Sequence, residues 1–169
     1  MRDFTWYVAA PYIHRTQVQE HITKIHTAGW KTNSRWAEED LSSECLKNRA
    51  MIDVEGVINA DGLIYVNSAL SEGKATELGI AIALLKPIII VGERSYTERS
   101  NNNIFLNLSI PVFPTIEQML EWLAGEGQHH IAWVQEQRRR AFRLGAMQLH
   151  NESRAMDQDT LMTMELPRE

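Results

Sequence analysis

Cysteine occurs once in this chain of 169 residues, at Cys45. A single thiol forms no internal disulfide, and no patterned cysteine–histidine set is present to hold zinc. Basic charge is also scarce: 17 lysines and arginines face 22 acidic residues, a formal net of −5. That deficit removes the electrostatic basis for binding a nucleic-acid polymer. A phosphorylated partner is then expected to be small, because a few donors suffice for one phosphate. Long apolar runs are missing as well. Residues 1–10 carry Arg2 and Asp3 ahead of a short apolar stretch, and the longest apolar region, residues 79–91, is interrupted by Lys86. Neither a leader nor a membrane helix is expected, and a cytoplasmic setting is the default for such a composition.

What the chain does have is enough apolar residues, 44% of the total in a mass of 19.4 kDa, for one domain with a real core. Its pattern alternates between strand and helix. Residues 4–10 are β-rich and stop at Pro11. Val18, Ile22 and Ile25 then recur at helical spacing within 16–28, and Gly29 is a stop signal. A weak strand over 30–32 and a polar loop over 33–40 lead to a long helix over 41–59. A strong strand over 62–67 ends in the small, polar loop 68–73, followed by a helix over 74–85 and a nearly all-apolar strand over 87–92. Such a strand is buried on both faces, which argues for a parallel sheet. A polar loop over 93–109, with a possible turn of helix at 104–106, precedes a fifth strand over 110–113. A helix over 115–123 follows, with Thr115 as its cap.

The expected fold is therefore α/β: a doubly wound, flavodoxin-like sheet of five parallel strands with helices on both faces, plus a C-terminal helical extension. The domain proper is expected over 1–124. The remainder, 125–169, reads as a helix near 130–150 and a polar tail that is mobile or docked on another subunit. Arg138-Arg139-Arg140 on that helix point in different directions and mark a solvated or partner-facing surface. Ligands of such a sheet bind at the carboxyl ends of its strands, where the loops 10–15, 33–40 and 68–73 converge.

Glu77 lies one turn into the helix after Gly73, where free backbone N–H groups and the helix dipole favour an ionised carboxylate. An anion there suits a nucleophile toward an electrophilic sugar carbon, or simply satisfies the helix end. Asp53 could face the crevice from the preceding helix, whereas Asp61 fits a turn at the opposite end of the sheet. His21 and His26 are five positions apart and His129 and His130 adjacent, so neither pair shares a helical face; no metal and no cofactor are expected.

Tyr7-Val8-Ala9-Ala10-Pro11, then Asp53 and Asp61, then Ser71-x-Gly73-x3-Glu77-Leu78-Gly79 resemble, in order and spacing, the signature of the nucleoside 2-deoxyribosyltransferase family. The resemblance spans 4–124 and implies the same doubly wound fold. It implies that Glu77 attacks C1′ to form a covalent glycosyl intermediate, that Asp53 positions the sugar or the departing base, that Tyr7 lies by the sugar, and that Ala10 is among the substrate-binding residues. Base-exchanging members commonly carry Asp six residues before the nucleophile; nucleoside 5′-monophosphate N-glycosidases carry Ser there, with Gly two residues later. Ser71 and Gly73 match the hydrolases, and a hydroxyl and a helix N–H can donate to a phosphate that an Asp would repel.

The same likeness implies that Arg15 contacts the phosphate and that Asn33, Arg35 and Trp36 face the base. It also implies a homodimer or larger homo-oligomer in which Asn103 of a neighbouring subunit completes the site. The expected activity is hydrolysis of a (2′-deoxy)nucleoside 5′-monophosphate to free base and sugar 5-phosphate. Base exchange between deoxynucleosides and a non-catalytic nucleotide-binding domain are the alternatives.

Overall fold

The computed structural model describes residues 3–40, 42–69, 71–92 and 110–164. Five strands form one sheet in the order β2-β1-β3-β4-β5: β1 Thr5–Ala9, β2 Lys31–Thr32, β3 Gly62–Val66, β4 Ile88–Val91 and β5 Val112–Phe113. Every pairing is parallel, with Tyr7 opposite Leu63 and Ile64 opposite Ile89. This is the flavodoxin-like order, and its direction of winding reverses between β1 and β3. The expected fold class is thus what the chain adopts.

The strands are apolar because both faces of the sheet are covered. Every residue of β3 and β4 is buried, as is β1 from Trp6 onward. Helix α1 (Arg15–Thr27) follows a short 3-10 turn at Tyr12–His14 and buries the predicted stripe Val18, Ile22 and Ile25. It packs against α5 (Ile116–Ala124), while α3 (Leu46–Asn59) packs against α4 (Glu72–Ala83). Each large apolar side chain buried in these layers contributes about 1.5–3 kcal/mol. Thr115 caps α5, its Oγ1 accepting from the Gln118 amide at 3.3 Å.

Some boundaries differ from expectation. Residues 42–45 are not part of the long helix: Asp40 Oδ1 accepts the Ser42 amide at 2.9 Å, and Arg49 donates to the Ser42 and Glu44 carbonyls at 2.9 and 3.0 Å. These bonds satisfy the backbone in a turn, and α3 begins at Leu46. The loop 33–40 contains a single helical turn, α2 (Arg35–Glu38), because Trp36 and Ala37 are drawn into the core. Helix α6 runs unbroken from Gly127 to Met164, past the expected end near 150, so the polar segment to that point is helical. No proline occurs between Gly127 and Met164, and the stretch is rich in helix formers. Loop 93–109, with its suggested turn and Asn103, lies outside the described residues.

The amino end of the sheet is closed by polar ties. Asp61 Oδ2 accepts the Thr5 amide at 2.8 Å, and the buried Lys86 ammonium donates to the carbonyls of Ile58 and Ala60.

Candidate active site

Three elements converge at the winding reversal. Tyr7 of β1 is 1% exposed. Its ring lies flat against α3 because position 56 is glycine: a Cβ there would sit 2.7 Å from Tyr7 Cε2. The hydroxyl crosses to α4 and donates to Glu77 Oε1 at 2.7 Å. Asp53, one turn before Gly56 on the same face of α3, looks onto the same hydroxyl. Its Oδ1 is buried without a hydrogen-bond partner.

Burial dominates the electrostatics of this trio. It pushes the Glu77 carboxyl up to about 8; the Tyr7 hydrogen bond and the nearby Lys74 ammonium pull it down, and the Asp53 charge adds to the rise. Burial raises Asp53 as well, against the Tyr7 hydroxyl. Tyr7 is raised above the ordinary phenol range by burial and by the two neighbouring carboxylates, so it remains a protonated donor. The expectation that the helix end alone keeps Glu77 ionised is therefore corrected. Helix α4 starts at Glu72, two residues earlier than expected. Glu77 consequently sits beyond the first turn, where the helix-end effect has decayed.

Ser71 is the N-cap of α4, its Oγ accepting from the Lys74 amide at 3.4 Å. Its hydroxyl proton is left to donate elsewhere. Gly73, in the first turn, faces open space: an added Cβ would meet only Ser71 Oγ, at 3.9 Å. Ala10 is buried at the end of β1. Beneath this helix end lies Lys74, which the sequence reading missed. It is 2% exposed, donates to the carbonyls of Val66 and Ala69 at 3.1 and 2.7 Å, and lies 4.3 Å from the centre of the Tyr65 ring. Burial pulls its ammonium down to about 8 and pushes the Tyr65 phenol up to about 12. A lysine three residues from a helix cap ordinarily reads as solvated, and no pattern in the sequence signals otherwise.

Beside Asp53 opens a cavity of about 160 Å³, whose walls include Tyr12, Arg15, Trp36, Asp40 and Arg49. Arg15 thus stands with Trp36 and Asp53, not with Ser71 and Gly73. Its guanidinium donates to the Glu39 carbonyl at 2.6 Å, and its Nε is buried without a partner. Trp36 is a core residue, 9% exposed, and its indole N–H is committed to the Val8 carbonyl at 3.1 Å. Arg35 points away into an exposed, two-pronged ion pair with Glu39, at 2.8 Å on each prong. Asn33 ties the turn after β2 to α3 by donating to the Gly56 carbonyl at 2.9 Å. Arg49 and Ser34 are further residues missed in the sequence; Ser34 Oγ accepts the Val8 amide at 2.6 Å.

Unpartnered buried polar atoms mark the same region. Among the described residues seven side chains hold one: Trp6 and His21 account for two, and the other five are on Arg15, Asn33, Asp53, Asn67 and Ser68. All five line or flank the crevice at the carboxyl ends of the strands, where a ligand could supply the missing bonds. Also among the described residues, no group of three or more His, Cys, Asp or Glu could hold a metal ion, and no helix is long and apolar enough to cross a membrane.

No protein-family model matches the sequence, and no curated protein matches it. Solved structures do. A conserved protein from Enterococcus faecalis is similar over 70% of this chain and 95% of its own, with 18% identity and a TM-score of 0.54. A Clostridium botulinum CMP N-glycosidase, BcmB, is similar over 71% of this chain and 98% of its own, with 20% identity and a TM-score of 0.48. At such identity the likeness to the Enterococcus protein is one of fold: residues forming the doubly wound sheet are arranged in both chains alike.

Proposed function

We propose that the protein hydrolyses the N-glycosidic bond of a (2′-deoxy)nucleoside 5′-monophosphate, with Glu77 as nucleophile. The observation that carries this reading is the Tyr7–Glu77 hydrogen bond of 2.7 Å, with Asp53 facing it, at the sheet's winding reversal. A buried carboxylate held by a phenol is fixed in direction and poorly solvated, which suits attack on an oxocarbenium-like C1′. Its bond to C1′ forms as the bond to the base breaks; water then displaces Glu77 by attacking from the face the base has left, so two inversions retain the configuration. Asp53 positions the sugar or the departing base. The phosphate rests at the start of α4 on the Ser71 hydroxyl and the Gly73 N–H, with a neighbouring copy of the chain contributing Asn103.

The test is incubation of the purified protein with deoxynucleosides and with their monophosphates, with and without an acceptor base, following free base by chromatography. Release from monophosphates without acceptor supports hydrolysis. Turnover only with acceptor supports base exchange, and no turnover supports a non-catalytic domain.

Two variants probe the parts. Ser71→Asp replaces a donor by an anion, and a hydrogen bond to a charged group is worth about 1.5–3 kcal/mol. Use of monophosphates is expected to drop by about 10²-fold in kcat/KM, with nucleosides little affected; equal effects on both would remove the phosphate assignment.

Tyr7→Phe keeps the ring against Gly56 and deletes the bond that favours ionised Glu77. Because the nucleophile must be ionised, kcat/KM is expected to rise with pH through about 8 in the wild type. In Tyr7→Phe that rise should move to higher pH. A shift to lower pH, or none, would contradict the role given to the hydroxyl.

A further inference from the structure

Among the described residues two lysines are buried, and they stand at opposite ends of the sheet. Lys86 closes the amino end, its ammonium donating to the carbonyls of Ile58 and Ala60. Lys74 is at the carboxyl end, beside the proposed nucleophile. It occupies the inward stripe of α4 with Leu78 and Ala81, where ordinary patterning calls for an apolar side chain. A buried ammonium is costly unless its charge is met. No carboxylate forms an ion pair with it among the described residues. The carbonyls of Val66 and Ala69 and the face of the Tyr65 ring meet it instead.

Resting on the reading of Glu77 as nucleophile, we propose that Lys74 is a positioning residue of the site: its ammonium closes the turn that presents Ser71 and is the buried counter-charge of Glu77. Both ends of the residue act on that turn. Its amide donates to Ser71 Oγ, and its ammonium ties Val66, the last residue of β3, to Ala69. Strand end, turn and helix cap are thereby held by one residue, next to Asn67 and Ser68, whose side chains each keep a buried polar atom without a partner. The counter-charge follows from position. Lys74 and Glu77 are three residues apart on α4 and are therefore neighbours on its surface. The titratable groups that face Glu77 are Tyr7 from β1, Asp53 from α3, Tyr65 from β3 and Lys74 from its own helix. Of these only Lys74 carries a positive charge. The influence is mutual, since the ammonium favours the Glu77 anion and that anion favours the ammonium.

The experiment follows the Glu77 carboxyl carbon by NMR across pH in glutamate-labelled wild type, Lys74→Met and Lys86→Met, with the signal assigned by its loss in Glu77→Gln. In Lys74→Met, Glu77 is expected to ionise about one pH unit higher than in the wild type. Lys86→Met removes an ammonium of the same construction from the other end of the sheet and should leave Glu77 where it is. In Lys74→Met the kcat/KM for base release should fall about 10-fold at pH 7, below the rising limb. The preference for monophosphates over nucleosides should also fall by about 10-fold as the turn relaxes around Ser71. The reverse titration needs no change at Lys74: in Glu77→Gln the Lys74 side chain should lose its proton at lower pH than in the wild type, so the coupling is read even where Lys74→Met does not fold. An unmoved Glu77 midpoint in folded Lys74→Met, or an unmoved Lys74 midpoint in Glu77→Gln, overturns the counter-charge. An unchanged preference for monophosphates overturns the hold on the turn. Midpoints that shift as expected in a protein that releases no base leave the counter-charge standing and defeat the hydrolase reading, and with it the part given to the turn.

Discussion

Glu77→Ala is expected to cut base release by about 10³-fold or more, the scale on which loss of a covalent nucleophile acts, and to flatten the protein's loss of stability with pH. The two effects share one cause. An unfolded chain ionises this carboxyl near 4.5, whereas burial beside Asp53 holds it up to about 8 in the folded protein. Below both values the group is neutral in both states and costs nothing. Between them the unfolded state has given up a proton that the folded state keeps, so stability falls as pH rises, and above about 8 the cost of the buried charge is fully present.

Alanine also leaves a void, a loss that is the same at every pH and cancels when the variant is compared with itself; the preference of the Tyr7 hydrogen bond for ionised Glu77 is already contained in the value of about 8. Allowing for relaxation around the charge, the wild type should lose about 2 kcal/mol more than Glu77→Ala between pH 5 and 8, or about 4–8 °C in melting temperature. Thermal melts at the two pH values, beside the base-release assay, measure both. Full turnover in the variant would defeat the nucleophile assignment; a parallel loss of stability in both proteins would defeat the account of burial.

Gly56→Ala is the second large effect, and it acts without touching a reacting group. The new methyl would stand 2.7 Å from Tyr7 Cε2, too close for a ring that is itself 1% exposed and cannot swing into solvent. Either α3 backs away with Asp53 or the ring tilts and carries its hydroxyl off Glu77. A displacement of about 1 Å in such a group costs about 10²-fold in rate. Overpacking costs about 1–3 kcal/mol, partly offset by the better helix propensity of alanine. Gly73→Ala is the control, because its Cβ enters open space; it should fold at least as well as the wild type. Gly56→Ala with wild-type turnover would mean that the register of Tyr7 against α3 is not required.

These two glycines show where sequence reading reaches and where it stops. Gly73 is visible because it falls in a motif. Gly56 sits in the middle of a helical run, where it looks like a weak spot, and only the facing ring explains it. Strand order was legible for a similar reason: the all-apolar run at Ile88–Val91 and the alternation with helices leave few other arrangements. Trp36 was harder. Its polar neighbours suggested a loop, but packing recovers more free energy from burying an indole than the surrounding polar residues lose by forming one turn of helix. Lys74 was invisible, since its burial depends on two carbonyls from the end of β3 that no local pattern announces. The extent of α6 was underestimated for want of a stop signal, not because any signal was misread.

Helix α6 also has a bearing on how the molecule can be altered. Its segment His130–Ala141 shares a groove with Pro87, Ile88, Ile110 and Pro111, residues at the amino ends of β4 and β5. The helix therefore crosses the sheet at the end away from Tyr7, Asp53 and Glu77. One pole of the domain carries the proposed chemistry and the other a helical handle. Changes selected on the handle, such as a new fusion or a new docking sequence, can accumulate without passing through the catalytic pole, so the two can evolve at separate rates.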